Sequence, residues 1–276
     1  MLFVPLALSL QIDLSLLDMA CLLDIYQAIA TDGFKQPTLA LIDNYVKNIL
    51  DGNTDFYRFN QSEHAGFCKA GSALIGATAI ADYAARSLRT SGHVEGCQRK
   101  PSNWEIDELQ ERLIEEWARA AQLWVENSGK ILTEIFGPMI AQGAEAKVYY
   151  REGDTSVVKE RASIYSTTQK ALEAIALHNY LFPETVMHVI GFTRDEDGLF
   201  RIILTQPYIR CKALASKEDI DELVFSKGFR GNCDWRGVNY VSERMALEDM
   251  HPANVFIDEI SNKAICIDCI VKFLVS

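Results

Sequence analysis

The sequence of 276 residues lacks any uninterrupted stretch of 18 uncharged apolar residues, so a membrane-spanning helix is not expected. It also lacks an excess of basic residues, because 27 lysines and arginines face 38 aspartates and glutamates, for a formal net charge of −11. Acidic proteins repel phosphate backbones and anionic lipids. The composition therefore argues against nonspecific binding to nucleic acid or to a membrane surface. A nucleotide stays compatible, because Mg²⁺ and a lysine can supply positive charge locally.

A disulfide framework is lacking as well. The seven cysteines are odd in number and scattered through apolar stretches, which indicates a reduced, cytoplasmic protein. Cys266 and Cys269 form a C-x-x-C pair, but there is no second pair and no pair of histidines nearby. We therefore expect two core thiols that flank Asp268 and no structural zinc. No motif is recognised around the four histidines that precede residue 250, which are His64, His93, His178 and His188.

The apolar start at Met1–Leu10 lacks the basic residues of a signal peptide, so we expect a buried N-terminal segment. With 49% hydrophobic and 24% charged residues, the chain is typical of a globular protein, and its length allows two domains. Apolar residues at helical spacing predict that the first half is helical. The predicted helices cover about 14–31, 37–50, 62–87 and 104–136, the last one broken or bent at 127–129.

Two patterns in these helices predict how they pack. The helix at 62–87 is rich in alanine and glycine, which favours close contact between helices in a core. Trp117 and Trp124 are seven residues apart, which is two helical turns, so we expect them on one buried stripe. Acidic neighbours make a base-stacking platform the weaker interpretation.

The C-terminal part contains the pattern most suggestive of chemistry. Asp249 is followed five residues later by Asn254, then by two apolar strands and a second acid, Asp268. Such an order is typical of a site that holds a metal nucleotide. Asp249 is placed to accept a proton from an attacking hydroxyl, while Asn254 and Asp268 offer oxygens to Mg²⁺. We expect His251, between them, to brace the loop by hydrogen bonding.

Further parts of a nucleotide site precede this pattern in the required order. Residues 141–150 match a phosphate-covering loop with Gly143 at its middle glycine position and Val148 after it. A turn at 152–154 then leads to an apolar strand that ends with Lys159, which would neutralise phosphate oxygens. Glu173 lies in a predicted helix at about 167–181, where it could pair with Lys159.

A strand predicted to end at Gln206 completes the set, and the backbone of the linker at Tyr208 could bond an adenine edge. Each signal also has a simpler interpretation: a glycine turn, a solvated strand end, an exposed helical charge, or turn formers around Pro252. Their order along the chain favours the nucleotide site.

The stretch from about 138 to 276 resembles the protein-kinase-like superfamily. Its Asp249-x-His251-Pro252-x-Asn254 form, with a histidine after the acid, is most similar to the aminoglycoside and choline phosphotransferases. It also resembles the kinase domain of bacterial polyvalent proteins, which belong to mobile elements. The helical first half is similar to the region that precedes that domain.

The resemblance implies roles for five residues and a cofactor, Mg-ATP. It implies an ion pair of Lys159 with Glu173, a catalytic base at Asp249, and metal ligands at Asn254 and Asp268. Two features depart from the family pattern. The loop keeps one of three glycines, and Cys269-Ile270 replaces the Phe-Gly that usually follows the metal-binding acid. Because eight residues follow Asp268, we expect no activation loop and little surface for a protein substrate.

Together these patterns predict an α+β chain. We expect an N-terminal helical bundle at 1–130 and a minimal kinase-like domain at 131–276. That domain would have an antiparallel sheet lobe at about 131–206 and a reduced, small helical lobe at about 207–276.

The expected function is transfer of the γ-phosphoryl group of Mg-ATP to a hydroxyl of a protein or small molecule. Two alternatives stay open. The degraded glycine loop favours a nucleotide-binding pseudokinase without transfer activity. A helical half that binds a partner would favour a protein-interaction module of a polyvalent protein.

Overall fold

A computed structural model describes residues 16–52, 70–91, 100–143, 145–231 and 238–274. Within them it has seven α-helices and antiparallel sheets, and N-terminal helices precede a sheet-rich part, so the α+β prediction is confirmed. The predictions for Met1–Leu10 and for the start of the helix at 62–69 lie outside the described residues, as do His64 and His93. No helix in the described part of the chain combines the length and apolar character needed to cross a membrane.

The helices predicted at about 14–31, 37–50 and 167–181 are present, with bounds that differ by a few residues, whereas the stretch predicted as one helix at about 104–136 forms two. A short 3₁₀ turn, Pro183–Thr185, follows the sixth helix. The α-helices are α1 (Leu16–Asp32), α2 (Gln36–Gly52), α3 (Ala70–Ser91), α4 (Asn103–Ala120), α5 (Ser128–Phe136), α6 (Thr168–Leu181) and α7 (Lys217–Ser226).

The strands form three sheets, with the orders β1-β2-β3-β5-β4, β11-β10-β6 and β12-β9-β8-β7. The strands are β1 (Met139–Gln142), β2 (Ala146–Tyr149), β3 (Ser156–Ala162), β4 (His188–Arg194), β5 (Phe200–Pro207), β6 (Cys211–Leu214), β7 (Arg230–Gly231), β8 (Val238–Val241), β9 (Met245–Glu248), β10 (Val255–Asp258), β11 (Ala264–Cys266) and β12 (Ile270–Phe273).

The chain divides into two compact units. The first contains the described residues up to Glu152, together with Val158–Leu172 and His188–Thr205. The second contains Gly153–Val157, Glu173–Met187 and the described residues from Gln206 onward.

The first unit confirms close packing of the alanine-rich helix. The small side chains on one side of α3 are almost completely buried, and a Cβ added to Gly76 would lie 2.7 Å from Cζ2 of Trp117 on α4. Only a residue without a side chain therefore lets the two helices approach this closely.

The prediction of one long helix that carries both tryptophans is wrong. Helix α4 starts as predicted, with a capping box between Ser102 and Glu105, but it ends at Ala120. Beyond it, the Val125 N–H donates to the Phe192 carbonyl at 2.9 Å, and the Phe192 N–H donates to the Leu123 carbonyl at 2.9 Å. Pairing with β4 thus replaces the helical hydrogen bonds. Trp117 stays on the helix, whereas Trp124 lies outside it, with its ring centroid 6.2 Å from that of Phe200.

The sheet of the first unit packs against α5. Leu132 of α5 shares a buried cluster with Tyr149, Val158 and Ile203 of strands β2, β3 and β5. The predicted turn between β2 and β3 is confirmed, with Gly153 at φ +96°. The β2–β3 hairpin is the scaffold that fixes the position of Lys159.

The second unit contains more strand than helix. The segment predicted as a small helical lobe at 207–276 forms, in its described residues, one α-helix and the strands from β6 onward. Several of its apolar runs are short and contain β-branched residues, as in Val238–Val241 and Val255–Asp258, a composition that suits paired strands.

Candidate functional site

The loop after β9 turns tightly and carries Asp249 at its start. Asp249 has φ +61°, a left-handed conformation that a short polar side chain tolerates better than most. Its carbonyl accepts from the His251 N–H at 3.1 Å, and the His251 carbonyl accepts from the Asn254 N–H at 2.9 Å. A non-glycine residue held at positive φ is uncommon, and such residues cluster at functional sites.

The side chains of this loop meet one another. The Asn254 Nδ2 donates to Asp249 Oδ2 at 2.9 Å and to the Asp249 carbonyl at 3.0 Å. The Ala253 N–H donates to His251 Nδ1 at 3.2 Å, so the proton of a neutral imidazole is on Nε2. That Nε2 lies 3.2 Å from Asp249 Oδ1. His251 and Asn254 thus orient the carboxylate, which is 47% exposed.

The β10–β11 hairpin brings the second acid close to this loop. Val255 pairs with Cys266, and the Ile267 N–H donates to the Asn254 carbonyl at 2.9 Å. Asp268 is the next residue, and its Oδ1 accepts from the Cys269 N–H at 2.9 Å. Asn254 and Asp268 therefore leave the same end of one hairpin. Their amide and carboxylate oxygens are the ligand types that Mg²⁺ prefers, so the donor set fits this cation.

Lys159 lies in the middle of β3, in the first unit, and not at the strand end as predicted. Strand β3 continues past Lys159 because the next two residues, Glu160 and Arg161, have polar partners within the protein. Glu160 accepts from Ser128 Oγ at 2.9 Å and from the Tyr149 hydroxyl at 3.2 Å. Arg161 lies 3.8 Å from Glu145. Lys159 itself is 7% exposed.

The predicted phosphate-covering loop is the β1–β2 hairpin. The Gly143 N–H donates to the Ala146 carbonyl at 2.8 Å, which closes the hairpin. Val148, two residues further along β2, is the direct cross-strand partner of Lys159. The hairpin therefore places the loop and the lysine on neighbouring strands, as in the small lobe of a kinase-like fold.

The remaining predicted residues lie in the second unit. Glu173 is in the middle of α6, as predicted. Gln206 is buried, and its Nε2 donates to the Thr185 carbonyl at 2.9 Å and to the Ile267 carbonyl at 3.0 Å. Its side chain thus supports the segment just before Asp268. The Tyr208 N–H donates to the Thr155 carbonyl at 2.8 Å, so this donor is used within the protein.

Sequence reasoning missed the residues that support the Asp268 segment. Thr185 Oγ1 donates to the Cys266 carbonyl at 2.6 Å across 81 positions of the chain. His178 Nδ1 lies 3.6 Å from Cys269 Sγ across 91 positions. Separations of this length leave no periodic pattern in the sequence, so no local signal could have found either contact.

These elements define the class of the protein. A strand hairpin with a lysine, a helix with a glutamate, and an Asp-x₄-Asn loop before a second hairpin and acid are the parts of a kinase-like fold. Residues 107–274, more than half of the chain, match the family described as Serine/Threonine/Tyrosine Kinase found in polyvalent proteins. The chain belongs to this family. The comparison with curated proteins found no match.

Proposed function

We propose that the protein is an ATP-dependent phosphotransferase that moves the γ-phosphoryl group of Mg-ATP to a hydroxyl of a small molecule or a protein. The observation that supports it best is the contact of Asp249, His251 and Asn254 in one exposed loop, with Asp268 at the same end of the adjoining hairpin. The order of these residues along the chain first pointed to a nucleotide site. Their hydrogen bonds in the second unit suit phosphoryl transfer to a hydroxyl.

Each residue of the loop has a distinct role in this proposal. Asp249 accepts the proton of the attacking hydroxyl, since its carboxylate is exposed and held by two neighbours. Asn254 donates with Nδ2, which leaves its Oδ1 to face a cation, and Asp268 provides carboxylate oxygens. The bound Mg²⁺ would neutralise charge on the phosphates during transfer.

The remaining predicted residues have proposed roles in binding the nucleotide. Lys159 would neutralise α- and β-phosphate oxygens. Gly143 and Val148 belong to the hairpin proposed to cover the phosphates. The chain around Gln206 and Tyr208 would bind the adenine edge through backbone groups other than the Tyr208 N–H.

A second candidate is nucleotide binding without transfer. It is favoured by the hairpin at Gly143, where alanines occupy the outer glycine positions and restrict close approach of backbone amides to phosphate. Both candidates predict Mg-nucleotide binding, and only the first predicts ATP turnover. The resemblance to the aminoglycoside and choline phosphotransferases supports the first candidate, the phosphotransferase, and favours a small-molecule hydroxyl as the acceptor.

The test compares thermal unfolding of the protein with a nonhydrolysable ATP analogue, with and without magnesium. Mg-nucleotide should raise the unfolding midpoint, because a ligand that binds only the folded state stabilises it by about 2.7 kcal/mol at 100 times Kd. The Asp268→Asn variant should lose the magnesium-dependent part of that shift. An asparagine oxygen can still accept from the Cys269 N–H, so the fold should persist.

A matched control is Asp258→Asn at the other end of β10. Asp258 also accepts a backbone N–H, that of Ser261, but it is not among the proposed ligands. This variant should keep the full magnesium-dependent shift. If no nucleotide stabilises the wild-type protein under any condition, both candidate functions are wrong.

A further inference from the structure

Three soft ligands from distant parts of the second unit meet in its interior. They are His178 of α6, Cys266 at the end of β11, and Cys269 just before β12. Their ligand atoms all lie within 4.8 Å of one another, and all three residues are buried. Buried cysteine and histidine side chains that converge in this way form either a packed core or a metal site.

The hydrogen bonds around His178 decide which ring nitrogen faces the cysteines. Its Nε2 lies 3.2 Å from the Thr185 carbonyl and 3.2 Å from Thr185 Oγ1. The Thr185 hydroxyl donates its only proton to the Cys266 carbonyl at 2.6 Å, so both neighbours of Nε2 are acceptors. Nε2 therefore carries the proton, and Nδ1 presents its lone pair to Cys269.

This arrangement is the one found around metal-bound histidines. Such a histidine usually donates its second ring N–H to a backbone carbonyl, which fixes the tautomer and the ring orientation. Here the Thr185 carbonyl is the acceptor for the His178 Nε2–H, and it also accepts from Gln206 Nε2 at 2.9 Å. Thr185 thus belongs to an outer shell that is already in place.

The distances also suit a tetrahedral ion. Zinc binds sulfur at about 2.3 Å and nitrogen at about 2.1 Å, which places a sulfur and a nitrogen ligand about 3.6 Å apart. Cys269 Sγ and His178 Nδ1 are 3.6 Å apart. The Cys266 Sγ lies within 4.8 Å of both and donates to the Asp268 carbonyl at 3.1 Å. Loss of the thiol proton on zinc binding would break that hydrogen bond and let the sulfur turn towards the ion.

We propose that His178, Cys266 and Cys269 bind a zinc ion. Two thiolates and an imidazole select zinc over magnesium, which prefers oxygen. The ion would tie α6 to the segment that carries Asp268, because Cys266 and Cys269 flank that residue. This site does not depend on the proposed phosphotransferase activity.

The experiment uses the full chain, reduced and freed of metal with a chelator. Cobalt(II) is added as a spectroscopic probe, since thiolate ligands give it an intense charge-transfer absorption in the near ultraviolet. We expect saturation at one cobalt per chain, displacement by zinc, and no displacement by a large excess of magnesium.

Variants then identify the ligands. Cys269→Ala and His178→Ala should weaken cobalt binding by more than about tenfold, since loss of an outer-shell partner alone costs about that much. The matched control is Cys211→Ala, which removes an exposed cysteine and should leave binding unchanged.

A second measurement covers the case in which a buried variant fails to fold. The wild-type protein is alkylated with and without zinc in moderate urea, where buried thiols such as Cys266 and Cys269 become transiently accessible, and the modified cysteines are mapped by mass spectrometry. Zinc should protect Cys266 and Cys269 selectively. A folded, reduced protein without a thiolate–cobalt absorption would overturn the proposal, as would zinc protection of other cysteines only. If zinc binds but Mg-nucleotide does not, the phosphotransferase proposal alone fails.

Discussion

At the scale of single residues, the proposed chemistry depends on Asp249. Its left-handed backbone and its two side-chain partners fix the carboxylate at the start of the loop while leaving it exposed. A residue held in this way is preorganised to accept a proton, so the cost of ordering it is not incurred during reaction.

We predict that Asp249→Asn lowers ATP turnover by about 10²- to 10⁴-fold, the range usual for loss of a general base. Nucleotide affinity should change little, because the base acts on the acceptor. Turnover is measured by release of labelled phosphate and affinity by calorimetry. Asp197→Asn, in an exposed turn of the first unit, is the control. A variant at position 249 with normal turnover would contradict the assignment.

Glu160 is a buried acid in the first unit that the sequence patterns did not reveal as important. Its carboxylate is 1% exposed and accepts from two hydroxyls, those of Ser128 and Tyr149. Burial, and secondarily the Glu160 charge, raise the pKa of Tyr149 to about 12, so its phenol stays a proton donor below that pH. The Lys147 Nζ lies 4.0 Å from Glu160 Oε2.

We predict that Glu160→Ala lowers the free energy of unfolding by about 3 kcal/mol, because two buried hydroxyls lose the side-chain oxygens that accept from them. Glu160→Gln should cost less, since its amide oxygen still accepts one of these bonds. Urea titration measures both variants, with Glu152→Ala in the exposed β2–β3 turn as control. Equal stability of the two position-160 variants would show that the hydrogen bonds contribute nothing.

At the scale of elements, the connection between α5 and β1 depends on one glycine. Gly137 has φ +92°, and a Cβ added there would lie 2.7 Å from the Tyr150 carbonyl and 2.8 Å from Arg151 Cα. The obstacles are backbone atoms, which cannot rotate away. Gly153, in the turn between β2 and β3, has φ +96°, but a Cβ added at that residue would meet nothing within 4 Å.

We predict that Gly137→Ala destabilises the protein by about 3 kcal/mol, the sum of the positive-φ cost and the steric clash. Gly153→Ala should cost about 1–2 kcal/mol, because only the first contribution applies. Thermal and urea unfolding of the two variants separate these contributions. A smaller loss for Gly137→Ala than for Gly153→Ala would exclude the clash as its cause.

At the scale of the whole molecule, the net charge of −11 works against binding any anion. A nucleotide therefore requires local cations, and Lys159 in the first unit is the proposed protein contribution. Its place beside Val148 on paired strands fixes it within the sheet.

We predict that Lys159→Ala weakens Mg-nucleotide binding by about ten- to a hundredfold, the loss expected for a charge-assisted hydrogen bond. ATP turnover should fall as well. Lys147→Ala, a cation on the neighbouring strand, is the control for a general change of charge. Calorimetry gives the affinities, and thermal unfolding without nucleotide checks the fold. Retention of both binding and turnover would remove Lys159 from the site.

Local patterns in the sequence were sufficient to predict several structural features of this protein. The start of α4 follows from Ser102 and Glu105, because a capping box needs only neighbouring residues. The turn at Gly153 and the Asp249-to-Asn254 spacing are equally local. The start of α4 and the turn at Gly153 were predicted correctly, because the interactions that stabilise them lie within a few residues.

Tertiary structure decided what depends on distant partners. Helix α4 ends at Ala120 because β4 competes for the next backbone groups. Strand β3 continues past Lys159 because Ser128 and Tyr149 bind Glu160. His178 meets the Cys266–Cys269 pair only after α6 and β11 pack in the second unit. The chain sequence determined which chemical groups were available and in what order, and packing determined which of them meet, because contact between distant residues requires the whole fold.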